Sequence, residues 1–171
     1  PYPTRTCVTV VEGKRRRVTE LVEEATLPGP AYWRELRAVI DELLRTVQAV
    51  AVSGNLPPSA PTDFYAWVAT RANRAGVPMV IDSSQTALLE SLPNRPLLAK
   101  MNRRELASTF GCTRLRESDV LRRAKRLCTR GATHALITDG ARGAWLATAS
   151  GTWYARPPAV DVVNPIGSGD A

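Results

Sequence analysis

The sequence predicts an α/β fold built on a largely parallel sheet. Short apolar segments alternate with segments of helical period over most of the chain. The apolar segments are three to five residues long and apolar nearly throughout, as strands covered by helices tend to be. Turn residues close most of them: Ser53-Gly54, Asp82 and Asp139-Gly140. Strand–helix alternation of this kind is the pattern of a βαβ sheet.

The elements follow in order. Thr4–Glu12 alternates and is rich in Val and Thr, Gly13–Arg17 reads as a turn, and Val18–Val22 returns as a second strand. Leu27-Pro28-Gly29-Pro30 breaks the pattern. A helix is predicted from Ala31 to Val47, with Leu36, Ile40, Leu43, Leu44 and Val47 on its inward face. Ala49–Val52, Met79–Ile81 and Pro96–Ala99 read as strands. Asp63–Ala75, Thr86–Leu92, Arg103–Phe110 and Ser118–Arg130 read as helices, the first stopped by Gly76 and the last by Gly131. Ala135–Thr138, Ala144–Thr148 and Thr152–Ala155 complete the strands. In sheets of this class ligands bind beyond the carboxyl ends of the strands. Those ends carry Ser53-Gly54-Asn55, Asp82, Lys100-Met101-Asn102 and Thr138-Asp139-Gly140.

Composition excludes several function classes. The 171 residues suffice for one domain with a sizeable core, and 44% hydrophobic with 23% charged residues is ordinary for a globular protein. No apolar run approaches the roughly 20 residues that span a bilayer. Cys7, Cys112 and Cys128 form no CxxC pair, and His134 is the single histidine, so zinc sites, disulfide frameworks and Ser-His-Asp chemistry are disfavoured. A reduced, cytoplasmic enzyme fits this cysteine usage. The net charge of +7 suits either nucleic acid or phosphorylated substrates. Its arginines cluster at Lys14–Arg17, Arg103–Arg104 and Arg122–Arg130, with neither an aromatic RNA-binding motif nor a clear basic recognition helix, so they read as solvated charge.

Two segments carry chemistry. In Asn164-Pro165-Ile166-Gly167-Ser168-Gly169-Asp170-Ala171, two glycines around a serine let successive N–H groups point at one spot. Such a loop suits the charge that spreads over a phosphoryl group in transfer, and Asp170 beside it is placed to accept a proton from an attacking hydroxyl. Thr138-Asp139-Gly140-Ala141-Arg142-Gly143-Ala144 is a second glycine-rich turn, which by itself reads as a hairpin connection.

Together with Ser53-Gly54-Asn55-Leu56-Pro57-Pro58 and Lys100-Met101-Asn102-Arg103-Arg104-Glu105-Leu106, these segments resemble, in the same order, the motifs of the ribokinase-like (PfkB) carbohydrate kinases. Asn-Pro before the loop and Leu-Pro-Pro resemble the phosphosugar branch, which holds 1-phosphofructokinase and tagatose-6-phosphate kinase. The resemblance implies a ribokinase-like three-layer sandwich with a small β lid. Residues 1–30 would form part of the lid and its connection, and 31–171 part of the α/β core. The family's Gly-Gly-Lys-Gly-x-Asn sugar-binding segment and the helix that follows its anion loop do not appear. The chain is therefore expected to be a kinase domain incomplete at both ends and inactive by itself.

Carried over by position, Asp170 would be the general base, and Gly167, Ser168 and Gly169 the anion hole. Asn102 and Glu105 fall on the family's Asn-x-x-Glu, associated with ATP phosphates and Mg²⁺. Glu105 would act through water, with no direct protein ligand to the metal. Thr138, Asp139, Gly140, Ala141, Arg142 and Gly143 would line the nucleotide site. Lys100 stands at the family's lysine, with Met101 in place of its usual proline. The implied partners are ATP and a small phosphosugar, with no nucleic acid or membrane, and a second copy of the chain through the lid strands. A ribokinase-type or nucleoside kinase, a nucleic-acid-binding module and a non-catalytic regulatory relative are the alternatives.

Overall fold

The computed structural model describes residues 6–12, 17–23 and 28–159. The glycine loop at Asn164–Ala171, the basic turn residues Lys14–Arg16, and Arg5 lie outside the described residues.

Two sheets are present. The first is the antiparallel pair β1 (Cys7–Glu12) and β2 (Arg17–Val22), with Cys7 opposite Val22 and Glu12 opposite Arg17. Val8, Val10, Leu21 and Val22 are exposed on it. Arg17 pairs with Glu12 at 3.2 Å in the open, which fits the solvated reading of this basic residue. The second sheet has six strands in chain order: β3 (Val50–Ser53), β4 (Met79–Asp82), β5 (Leu98–Asn102), β6 (His134–Thr138), β7 (Ala144–Thr148) and β8 (Thr152–Ala155). The four from β3 to β6 are parallel, and β7 and β8 join as antiparallel neighbours. The helices are α1 (Pro30–Leu43), α2 (Phe64–Ala75), α3 (Gln85–Ser91), α4 (Arg103–Thr109) and α5 (Glu117–Thr129).

Strand alternation divides the six-stranded sheet into two unlike faces. Ile81, Ala99, Ala135 and Ala147 lie side by side across four strands, and Met101, Ile137 and Trp145 form the next row. All seven are buried, beneath helices that contribute Leu88, Leu106, Val120, Ala124 and Leu127. Three alanines in one row remove bulk from the sheet, and a helix can then approach its backbone closely. The intervening positions form the second face, where Val80, Leu98, Leu136 and Leu146 are half-buried. The strands are therefore covered on one face only in the described residues. Burying the first face contributes about 25 cal/mol for each Å² of apolar surface removed from water.

Around α1 the packing is aromatic. Trp33 meets Phe64 at 5.1 Å between ring centroids, and Arg37 lies 4.9 Å over the Trp67 ring. The predicted extension of α1 to Val47 is not seen. After Leu43 the chain tightens into i→i+3 bonds, Arg45 N–H to the Glu42 carbonyl and Thr46 N–H to the Leu43 carbonyl. Leu43 and Val47 consequently face outward, and the inward face is made by Trp33, Leu36, Ile40 and Leu44.

β5 also differs from expectation, running to Asn102 instead of ending at Ala99. Its polar residues Lys100 and Asn102 fall on the second face while Met101 is fully buried between them. Alternation, not a continuous apolar run, is the correct signature there. Met101 at the family's proline position thus sits in a regular strand, opposite Ile137.

Gly131 closes α5 with a positive φ of 133°. A Cβ at this position would run into the backbone carbonyl of Leu92, which cannot move as a side chain can. We expect Gly131→Ala to lower unfolding free energy by more than about 2 kcal/mol, combining left-handed strain with a backbone clash. Chemical denaturation read by tryptophan fluorescence checks this.

Candidate nucleotide cleft at the carboxyl edge

The parallel ladder of β5 and β6 ends with Asn102 beside Thr138. That pairing brings together two segments that are 36 residues apart in sequence and are both site candidates. From Asn102 the chain turns directly into α4. The Asn102 side chain accepts from the N–H groups of Arg104 and Glu105 at 2.9 Å each, and Glu105 Oε2 accepts from the Asn102 N–H at 2.7 Å. This is a capping box. Asn102 and Glu105 therefore close the α4 N-terminus on itself, at the point where it leaves the strand edge. One Glu105 oxygen is committed to the backbone, which leaves only the other for any further contact.

From Thr138 the chain enters a short turn. Gly140–Arg142 forms one 3₁₀ turn, and the Asp139 N–H donates to the Gly143 carbonyl at 2.8 Å. β6 and β7 pair antiparallel on either side, so the segment is a hairpin connection as well as a cleft wall. Gly143 has φ 111°, and a Cβ there would meet the Ala155 carbonyl and the Tyr154 ring. The Tyr154 hydroxyl donates to the Arg142 carbonyl and ties β8 to the same turn.

Between these walls lies an open cleft of about 870 Å³. Asn102, Thr138, Asp139, Gly140 and Arg142 line it, joined by Arg103, Arg104 and Arg114. Expected nucleotide residues from both segments thus share one cavity, though Glu105, Ala141 and Gly143 do not line it. Two readings change. Asp139 does not reach out as a ligand: its side chain is 7% exposed and bonded to arginines. Arg142 Nε and Nη2 donate to its two oxygens at 2.7 Å each, and Arg103 Nη1 donates to Oδ2 at 2.7 Å. Arg142 correspondingly spends its charge on Asp139 in this arrangement. The Arg142 hydrogen bonds, followed by the single one from Arg103, hold the Asp139 carboxyl below the usual carboxylate range.

Lys100 and Asp82 form a pair that the sequence alone does not reveal. They are register neighbours on the second face, and Lys100 Nζ donates to Asp82 Oδ2 at 2.5 Å with both side chains about a fifth exposed. The available signal is a lone carboxylate at the end of an apolar strand, one position past Ile81 of the helix-covered row. Nearby, the Ser53-Gly54 turn is fixed by Tyr65, whose hydroxyl is within 3.2 Å of both carbonyls, and by Gly54 N–H donation to the Asp82 carbonyl at 2.9 Å. Among the described residues no group of three or more His, Cys, Asp or Glu could hold a metal ion. No helix among them is long and apolar enough to cross a membrane. The α5 arginines sit in solvent or against Phe110, with Arg123 at 5.0 Å and Arg126 at 5.4 Å from the ring.

The profile of the pfkB family carbohydrate kinases matches residues 2–171. The chain belongs to the PfkB carbohydrate kinase family. It is 41% identical over 175 aligned positions to 1-phosphofructokinase of Escherichia coli (strain K12), covering 95% of this chain and 55% of that enzyme. The chain thus spans little more than half the length of this relative. Its fold is that of the tetrameric inhibited form of phosphofructokinase-2 from Escherichia coli, with a TM-score of 0.84 at 23% identity over 96% of this chain and 54% of that one. The same enzyme in complex with fructose-6-phosphate superposes with a TM-score of 0.80 at 22% identity and the same coverage. For this PfkB chain the expected α/β architecture, with its mostly parallel sheet, is the observed one.

Two outcomes are expected from the site chemistry. Asn102→Ala should cost about 1 kcal/mol of stability through loss of the helix cap, measurable by denaturant titration. Asp139 has a depressed folded-state pKa, so its stabilising contribution is complete above the ordinary aspartate value of about 3.9 and is lost as pH falls through the folded value. The stability gap between wild type and Asp139→Asn should therefore be widest near neutral pH and should shrink below about pH 4, as followed by thermal melts across pH.

Proposed function

We propose that the protein carrying this chain is an ATP-dependent kinase acting on a hydroxyl of a phosphorylated ketohexose, with 1-phosphofructokinase chemistry the first candidate. The observation that carries this reading is the 41% identity to 1-phosphofructokinase across 95% of the chain. The Asn102–Thr138 juxtaposition supports it, because it unites two motif segments at the edge where α/β sheets bind ligands.

In this reading Thr138–Gly143 and the α4 N-terminus flank the nucleotide phosphates. The arginine-rich lining favours an anion there. Gly167, Ser168 and Gly169 supply N–H groups for the phosphoryl group in flight, and Asp170 accepts the proton of the attacking sugar hydroxyl as the new P–O bond forms and ADP leaves. Mg²⁺ would neutralise phosphate charge. Asp139 and Asp82 are already bonded to cations, so the donor set fits an ion carried mainly by phosphate and water, with Glu105 at one remove. The exposed apolar residues of the β1–β2 pair, among them Val10 and Leu21, suit a lid that also meets a second copy of the chain. A cytoplasmic location fits such an enzyme.

The test is turnover by the full-length protein with ATP, Mg²⁺ and a panel of fructose 1-phosphate, fructose 6-phosphate, tagatose 6-phosphate and ribose. Strong ADP release with one phosphosugar is expected, falling by about 10²-fold or more in Asp170→Asn. Activity with ribose alone would overturn the substrate class and keep the reaction type.

A further inference from the structure

Arg103 and Asp139 occupy equivalent places at the end of the β5–β6 ladder. The last paired positions are Asn102 and Thr138, and each of these two residues is the next in its strand's continuation. Past that point the two segments diverge, one into α4 and the other into the turn before β7. No backbone pairing between them fixes their separation there. The ion pair does, with Arg103 Nη1 donating to Asp139 Oδ2 at 2.7 Å and side chains 24% and 7% exposed. Arg103 Nη2 also donates to the Leu115 carbonyl, which draws the loop before α5 into the same anchor. Arg142, 72% exposed, completes the neutralisation of the carboxylate from the solvent side.

We propose that Asp139 is a positioning residue that sets the width of the nucleotide cleft by holding its two walls together through Arg103. Both of its oxygens accept from guanidinium groups, so it acts through them and does not touch the ligand. The inference rests on the nucleotide reading above. It makes a prediction opposite in sign to simple electrostatics. Removing a negative charge from an anion-binding cleft should tighten ATP binding if charge alone mattered. Removing the tie that spaces the walls should weaken it, because Arg103 and Arg142 then face each other uncompensated and move apart.

The experiment is titration of the full-length protein with a fluorescent ATP analogue, for wild type, Asp139→Asn, Arg103→Gln and the double variant, with folding checked by circular dichroism. Asp139→Asn should bind on the order of fivefold more weakly, as coupled residues in one ion-pair network typically do. Arg103→Gln should show a similar loss, and the double variant should lose no more than the weaker single. The loss should fall on the KM for ATP more than on kcat. Equal or tighter binding by Asp139→Asn overturns the proposal. Fully additive losses in the double variant also overturn it, as does a folded wild type that does not bind the analogue. If ATP binds as described but no sugar phosphate turns over, the kinase assignment fails while the positioning role stands on the binding data.

Discussion

The parallel pairing of β5 with β6 governs what the rest of the molecule can do. Two strands joined in parallel end at the same edge, and these two end in residues that leave in different directions. One enters a helix capped by its own asparagine, and the other enters a tight turn. The cleft is the wedge between those departures. Each wall begins on a hydrogen-bonded strand, and several arginines line the opening between them. Had β6 been antiparallel to β5, the Thr138 turn and the Asn102 cap would lie at opposite ends of the sheet.

Side-chain alternation then assigns the two faces different work. Odd-numbered positions of β4 to β7 form the packed rows, with alanines where the helices lie closest. Even-numbered positions carry Asp82, Lys100, Asn102 and Thr138 at the carboxyl edge. Shifting any of these strands by one residue would exchange core for site, so the hydrophobic pattern that stabilises the sheet also fixes the register of its polar residues. The Asp82–Lys100 pair shows the same rule, since two charges largely withdrawn from water are tolerable only where register makes them partners.

Much of this was legible in the residues. Strand and helix order follows from apolar segments bounded by Gly, Asp and Ser, and Gly76 and Gly131 mark helix ends where the structure has them. The Asn102–Glu105 and Thr138–Gly143 segments point to the cleft through their shared resemblance to one family's motifs, whereas each alone reads as an ordinary helix start or hairpin. What escaped was anything decided by tertiary contact. Arg103 looked like one of several surface arginines, and its meaning depends on Asp139 lying one step beyond the paired strand. The Val47 end of α1 followed helical period, yet the chain had to turn sooner to reach β3, and local periodicity carries no record of that demand. β5 was cut short because Lys100 and Asn102 interrupt an apolar run, a pattern that suits a strand with one uncovered face.

The six strands lie across the sheet in the order in which the chain supplies them. Each new strand therefore finds its neighbour already in place, as soon as the helix or turn between them has closed. No strand must wait for a distant segment before it can be paired on one side. Loop closures stay short, and their entropy is paid in small instalments along the chain. During synthesis such a sheet can lengthen strand by strand behind the emerging polypeptide, with β5 waiting at a growing edge for β6 to complete the cleft.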